Sequence, residues 1–489
     1  MTSTADLLER LQALDIRLAL DGESLAVNAP KGAITPALRD ELGRRKEEVK
    51  AFLKAGGTAA APGRREAAPP LRHIAREAQM PVSHTQQRLW FIKQMDPAGH
   101  AYNIPAGLRL RGGLDPVALG RTLDELLERH ESLRTRFVAV DGLPRCVIDS
   151  RAESALEQID VSHLPLSERE TAARRAIVQF EQRPFDITRA PLLHTALVRL
   201  AFDEHLLVFV FDHIVADGLS VGIFLHEFQA LYTQHAGGAA AALPELPVQY
   251  LDYADWERRW FAAGAIDPHL AFWKQQLAAL PPLLQLPTDR PRPPVQTDRG
   301  ARAVLQLPVA LGQQLRALAR AEGATLFMVL MSAFQALLHR HSGETDFAVG
   351  TAIANRSRSE VERVIGFFAN NLVLRGDLSG EPTVRELIAR VRDTALKAYA
   401  HQDMPFDMLV DALATRRELG HSPLFQVMFV LQNISLAGFE LPGLVCETVE
   451  SAVHTARFDL AVDVFDLAQG LRIYFEYNTD LFDASTIER

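Results

Sequence analysis

The stretch most able to do chemistry runs Phe211-Asp212-His213-Ile214-Val215-Ala216-Asp217-Gly218-Leu219-Ser220, where a strongly apolar run ends in a group of polar residues. Loops at strand ends are where rigid scaffolds present reactive groups. His213 is a general-base candidate there, because a free imidazole titrates near pH ~6.5. Gly218 allows backbone conformations barred to other residues and the close approach of a ligand. A plainer reading stands beside this one: His213 ends a strand, and Asp217 caps the helix that follows.

These residues need elements to hold them. The run HLLVFVF at 205–211 predicts a buried strand, and Phe224, Leu225, Phe228, Leu231 and Tyr232 form one apolar face of a helix over 220–232. A helix is expected over 118–129. After a proline-rich bridge, LPTDRPRPP at 286–294, a second similar stretch offers a helix over 315–340, a strand at 347–350 and a helix over 384–399. Strands alternating with amphipathic helices predict two α/β lobes rather than a sandwich or a bundle. STIE at 485–488 reads as a capping box opening a further helix, as in a piece of a longer polypeptide.

Residues 1–55 read as a separate small unit. Leu7, Leu8, Leu11 and Leu14 have helical spacing, Asp21-Gly22 is a hairpin turn signal, and Thr35-Pro36 opens another helical run. AGGTAAAPGRREAAPP at 55–70 cannot build a core and marks a linker, assigned to 56–78. The remainder divides into lobes at 79–264 and 265–489.

Composition narrows the field. With 489 residues, 48% hydrophobic and 23% charged, the chain has the balance of a soluble multidomain protein. Its mean hydropathy is -0.01, and no long uncharged apolar run predicts a membrane span. A net charge of -9 gives no electrostatic reason to expect nucleic acid. Cys146 and Cys446 are too few and too far apart for a disulfide framework or cysteine metal site. Neither a secretory leader nor a metal is expected, and a cytoplasmic location follows.

The catalytic segment resembles the HHxxxDG motif of nonribosomal peptide synthetase condensation domains, and the rest of the family's pattern accompanies it in order. SHTQQRLW at 83–90 resembles SxAQxRLW, and RHESLRTRF at 129–137 resembles RHExLRTxF. YLDYADW at 250–256 resembles YxDYAxW, IGFFANNLVLR at 365–375 resembles GxFVNTxxxR, and HQDMPFD at 401–407 resembles HQDxPFE with a different last acid. Residues 417–429 resemble RDxSxSPLFQVMF. The forms of the second and fourth motifs are similar to the branch that joins two L-configured aminoacyl groups.

The resemblance implies two chloramphenicol-acetyltransferase-like lobes in a V-shaped pseudo-dimer, with a tunnel between them. Donor and acceptor carrier proteins would enter from opposite faces, each bearing its substrate on a phosphopantetheine arm, with no cofactor bound by the domain itself. By the same resemblance, His213 would orient or deprotonate the acceptor amine or stabilise the intermediate. Gly218 would bring its N–H near the reacting carbonyl, and Asp217 would be a structural anchor; such an anchor needs a cation, and Arg356 in Ala354-Asn-Arg356 of the second lobe is the candidate. Ser220, Asn370, Gln432 and Asn433 would line the tunnel. Tyr102, Asn103, Trp90 and Trp256 read as packing residues.

One departure matters. Asp212 stands where the family motif has its first histidine, so it enters the catalytic set with an altered role. Continuing the strand, it would face away from His213; touching it, it would favour the imidazolium. The change also creates Asp212-x-x-x-x-Asp217-x-x-Ser220, which matches the DxxxxDxxS motif of heterocyclization domains. A third reading is a silent domain that docks and gates carriers. The N-terminal run at 7–42 resembles tubulysin-type docking domains, which implies an αββαα unit that captures the C-terminal segment of an upstream subunit. Leu25 and Val27 on a hairpin edge would pair with that segment, and Lys31, Arg44 and Arg45 would meet its acidic groups.

Overall fold

The computed structural model describes residues 17–21, 24–28, 46, 68–152, 156–413, 419–432 and 439–489. The chain divides into two units, residues 1–68 with 316–325 and residues 69–315 with 326–489. In the first, strands β1 (Arg17–Asp21) and β2 (Ser24–Asn28) pair antiparallel, with Asp21 opposite Ser24 and Leu20 opposite Leu25. Of the Asp21-Gly22 turn signal, Asp21 ends β1 and Gly22 lies outside the described residues. The helices expected on either side lie, apart from Lys46, outside the described residues.

The second unit contains β3 (Met80–Pro81), β4 (Asn103–Gly112), β5 (Thr135–Val140), β6 (Leu143–Ile148), β7 (Leu156–Asp160), β8 (Leu193–Ala201) and β9 (Glu204–Asp212). It continues with β10 (Gly300–Leu307), β11 (Asp346–Ile353), β12 (Asn370–Asp377), β13 (Val427–Gln432), β14 (Leu444–Val449), β15 (Leu460–Leu467) and β16 (Gly470–Asn478). The helices that matter below are α1 (His84–Met95), α2 (Pro116–Arg129), α3 (Leu166–Glu181), α4 (Gly218–His235) and α5 (Tyr250–Ala262). Later in the chain come α6 (Val309–Ala321), α7 (Leu326–Ser342), α8 (Val384–Ala400), α9 (Phe406–Ala412) and α10 (Ala484–Glu488).

A five-stranded sheet of order β14-β4-β9-β8-β7 and a six-stranded sheet of order β10-β16-β15-β13-β11-β12 form the two lobes, with a small β3-β6-β5 sheet beside the first. Strand β9 shows why its sequence is apolar throughout. Leu207, Phe209 and Phe211 belong to one core cluster, with helices α2 and α4. Leu206, Val208 and Val210 belong to another, with α1 and α3. A central strand covered on both faces reads as a continuous hydrophobic run rather than an alternating one. Phe209 meets Phe224 and Phe228 of α4 edge-on, at ring distances of 5.1 and 5.4 Å, a geometry that adds to plain burial.

The lobes are not contiguous in sequence. Strand β14, which the division at 264/265 assigns to the second lobe, pairs antiparallel with β4 of the first, with Cys446 opposite Leu110. Without it, β4 would present an unpaired edge. Two local expectations are also corrected. The single helix expected over 315–340 is two helices, because Gly323 adopts a φ of +58 after α6, the left-handed conformation that ends helices. The last helix starts at Ala484 behind an extended Asp483, with no capping box at Ser485.

The motifs meet in space. Arg88 of α1 lies 2.9 Å from Asp407 of α9, and the Tyr250 hydroxyl of α5 donates to the Phe367 carbonyl at 2.6 Å. A side chain on Gly366 would begin 1.9 Å from the Tyr250 ring, so only glycine fits there. Among the described residues, no single helix is long and apolar enough to cross a membrane.

Candidate active site

His213 follows the last residue of β9, and its backbone N–H donates to the Tyr102 carbonyl at 3.0 Å. Its Nδ1 lies 2.8 Å from the Ala216 carbonyl. A carbonyl only accepts, so Nδ1 carries the ring proton and Nε2 keeps its lone pair. Phe367 packs against the ring at 4.6 Å and Tyr102 at 6.3 Å. Burial foremost, then the nearby Arg457 guanidinium, holds the imidazole down to about 4, against the opposing pull of the Asp217 carboxylate. Near neutral pH the group is therefore an uncharged acceptor.

Asp217 is the N-cap of α4 and is 1% exposed. Its Oδ1 accepts from the Ser220 N–H at 2.8 Å and from Arg356 Nη2 at 3.1 Å. Its Oδ2 accepts from the N–H groups of Phe368 at 3.1 Å and Ala369 at 3.2 Å. Arg356 in turn donates from Nη1 to the Val361 and Val364 carbonyls at 2.8 and 2.5 Å, and its guanidinium carbon lies 4.1 Å from the centre of the Phe368 ring. The Ser220 hydroxyl accepts from Arg356 at 2.8 Å and from the Gly366 N–H at 3.1 Å. Its one proton is within reach of Asp217 Oδ1 at 2.7 Å and the Gly366 carbonyl at 2.9 Å. The carboxylate thus binds the start of α4 to the 361–369 segment of the second lobe, and that segment carries Phe367 to His213.

A cavity of about 610 Å³ lies beside this network, lined by His213, Asp217, Gly218 and Leu219 and by residues of the second sheet, including Thr351, Val430, Gln432 and Glu476. Gly218 occupies the first turn of α4, where backbone N–H groups have no partner within the helix. Other expected site residues sit elsewhere. Asp212 does not line the cavity. It is wholly buried, with its Oδ2 2.8 Å from the ammonium of Lys93 on α1 and its Oδ1 accepting the Ile214 N–H at 2.9 Å. It has the parity of Leu206, Val208 and Val210, and so points to the α1 side of the sheet.

Ser220 and Asn370 are also absent from the lining. Ser220 is sealed within the Asp217 network. Asn370 is 4% exposed, donating to the Gln402 and Met404 carbonyls and accepting from the Phe406 N–H. Gln432 lines the cavity, and Asn433 lies outside the described residues. Of the docking candidates, Leu25 and Val27 lie on β2, while Lys31, Arg44 and Arg45 lie outside the described residues.

Several lining residues escaped sequence reasoning. Asn103, read as packing, lines the cavity, as do Glu181, Arg302, Tyr399, Arg457 and Glu476. Burial pushes the Glu181 carboxyl up, while the Ser451 hydroxyl at 2.7 Å opposes this. Burial likewise raises Glu476 to about 7. A visible signal existed for Glu476, a lone acid in the strand RIYFEYN.

Residues 76–489 match the condensation domain model, and residues 5–55 match the TubC N-terminal docking domain. The chain belongs to the condensation domain family. One of the linear gramicidin synthase subunits of Brevibacillus parabrevis is 48% identical over 434 residues, which are 88% of this chain and 8% of that protein. Phosphinothricin tripeptide synthetase PhsC of Streptomyces viridochromogenes is 42% identical over 88% of this chain and 40% of its own. The chain therefore spans a small part of its curated relatives. Among solved structures, the X-domain in complex with OxyB from teicoplanin biosynthesis superposes with a TM-score of 0.77 at 28% identity, covering 88% of this chain and 93% of that one. SgcC5 from Streptomyces globisporus gives 0.69 at 27%, over 83% and 95%. The fold is that of condensation domains.

Two outcomes follow. Removing Arg356 leaves a buried carboxylate unpaired, a change that costs about 3–5 kcal/mol. Urea denaturation of Arg356→Met is expected to show that loss, whereas Arg183→Met, in an exposed pair with Glu157, changes stability by less than about 1 kcal/mol. An Arg356→Met protein of unchanged stability would dissolve the assigned anchor. For His213, the folded value lies below the free value of ~6.5. Its contribution to stability is complete above pH ~6.5 and declines as pH falls toward about 4. A histidine-selective 15N titration is expected to find its Nδ1–H form persisting to pH ~5; a midpoint near ~6.5 would contradict it.

Proposed function

We propose that residues 76–489 form the amide-bond-forming condensation domain of a nonribosomal peptide synthetase. In this reading a carrier-bound acyl or peptidyl thioester is the donor, and the amine of a second carrier-bound aminoacyl thioester is the acceptor. The observation that carries it is the neutral His213 ring, with its Nδ1 proton held by Ala216 and its Nε2 lone pair free to accept, in a cavity lined by both lobes.

The amine nitrogen attacks the thioester carbonyl carbon, forming the C–N bond, and the C–S bond breaks. The amine gives up one proton, which Nε2 accepts and passes to the departing thiolate, so the donor's phosphopantetheine ends as the free thiol and the imidazole as neutral. The Gly218 N–H, at the start of α4, supports the oxygen on which charge develops. Much of the acceleration comes from holding two tethered reactants together, since orientation alone can be worth ~7 kcal/mol or more. Asp217 and Arg356 act by holding the segment that carries Phe367. Asp212 acts structurally, with Lys93.

A docking and gating domain without catalysis is the second reading, favoured by Asp212 at the motif's first position and by the likeness to the X-domain solved with OxyB. Intact-mass analysis separates the two. With loaded donor and acceptor carriers, the acceptor is expected to gain the donor acyl mass, and His213→Ala is expected to lower the rate by roughly 10²–10⁴-fold. No gain in the unsubstituted protein would support gating, and a product lighter by one water would support heterocyclization.

The match at 5–55 supports an upstream synthetase subunit as a partner, with its C-terminal segment added to the edge of the β1–β2 hairpin. Deleting residues 1–55 is expected to slow transfer from a free upstream carrier by roughly 10-fold or more, from loss of effective concentration, and to leave transfer from a covalently fused carrier unchanged. Equal losses in both formats would make the segment structural.

A further inference from the structure

The cavity face of the second sheet carries a polar stripe that the reaction itself does not use. Strands β10, β16, β15 and β13 are neighbours, and each contributes one such residue: Arg302, Glu476, Asp463 and Gln432. Arg302 is directly opposite Glu476 in the β10–β16 register. On β13 and β15 the alternate residues Val427, Phe429, Val462 and Val464 are buried on the other face. The polar residues therefore occupy positions where a sheet beside a cavity would ordinarily be apolar.

Gln432 Nε2 donates to Asp463 Oδ1 at 2.7 Å. The Arg302 guanidinium rests 4.8 Å from the Tyr474 ring centre, and Arg457 rests 5.5 Å from that of Tyr102, the residue that packs on His213. Among the described residues, no ion pair joins Arg302, Arg457 or Glu476 to any partner, and Arg302 Nε is buried without one. Arg457 is exposed and keeps its water, whereas Arg302 and Glu476 are part-buried, and charged groups drawn from water are costly unless something meets them. Here the space between them is the cavity. Burial raises both acids, Glu476 to about 7, which leaves Glu476 able to give or take a hydrogen bond.

We propose that Arg302, Glu476 and Arg457 form a side-chain subsite for a tethered substrate whose side chain is an uncharged hydrogen-bonding group, with a carboxamide as the best fit. The carboxamide oxygen accepts from a guanidinium, and its NH₂ donates to the Glu476 carboxylate. A cationic side chain is opposed by two arginines, and an anionic one meets a like charge at Glu476 wherever that carboxyl is ionised. An apolar side chain leaves every group unmet, which is the strongest form of rejection. The proposal rests on the condensation reading for its substrate, but binding can test it without turnover.

The probes are N-acetylcysteamine amide analogues of asparagine and of its near-isostere leucine, each with a free and an N-acetylated α-amine to mimic acceptor and donor. Titration calorimetry on the whole chain is expected to find the asparagine analogue bound roughly tenfold more tightly in at least one of the two forms. Glu476→Leu and Arg302→Met should each erase that ratio while preserving leucine binding. Equal affinities in the unsubstituted protein, or a ratio untouched by both substitutions, would overturn the subsite. Failure of dipeptide formation with this preference intact would count against the condensation reading alone.

Discussion

One buried carboxylate organises the site. Asp217 caps α4, pairs with Arg356 and accepts two backbone N–H groups from the far lobe. These partners satisfy a charge that would be prohibitive alone in a dry interior. The same bonds hold the 361–369 segment, which is gripped again by Tyr250 and by the Arg356 contacts to Val361 and Val364. Its loss would loosen the cap, the segment and the packing of Phe367 on His213 together.

The imidazole owes its character to where that assembly puts it. Ala216 claims the Nδ1 proton, while burial and Arg457 suppress the charged form. Asp212 shows the opposite use of a carboxylate one residue earlier. It ends β9 on the α1 side of the sheet, against Lys93, whereas Asp217 caps α4 five residues later, so the two acids serve different ends.

Much of the architecture was legible along the chain. The apolar run at 205–211 and the helical face from Phe224 to Tyr232 become β9 and α4, because burial on both faces demands continuous hydrophobicity and a helix facing a sheet demands a stripe. The break at Gly323 was not legible, because a glycine inside a helical pattern is ambiguous until its φ is known. The placement of β14 was not legible at all, since an edge strand's partner depends on which sheet has an open edge.

The amino-acid order by itself determined the two-lobed α/β class and the pairing of β1 with β2, because periodicity is a local property, and it marked His213 through the resemblance of its motif. Only the tertiary structure decided that Ser220 and Asn370 are sealed in networks, that Asp212 turns to Lys93, and that Arg302, Arg457 and Glu476 share one cavity. Those residues are separated by scores of positions or face opposite sides of a strand, and side-chain encounters of that kind exist only once the two sheets are assembled.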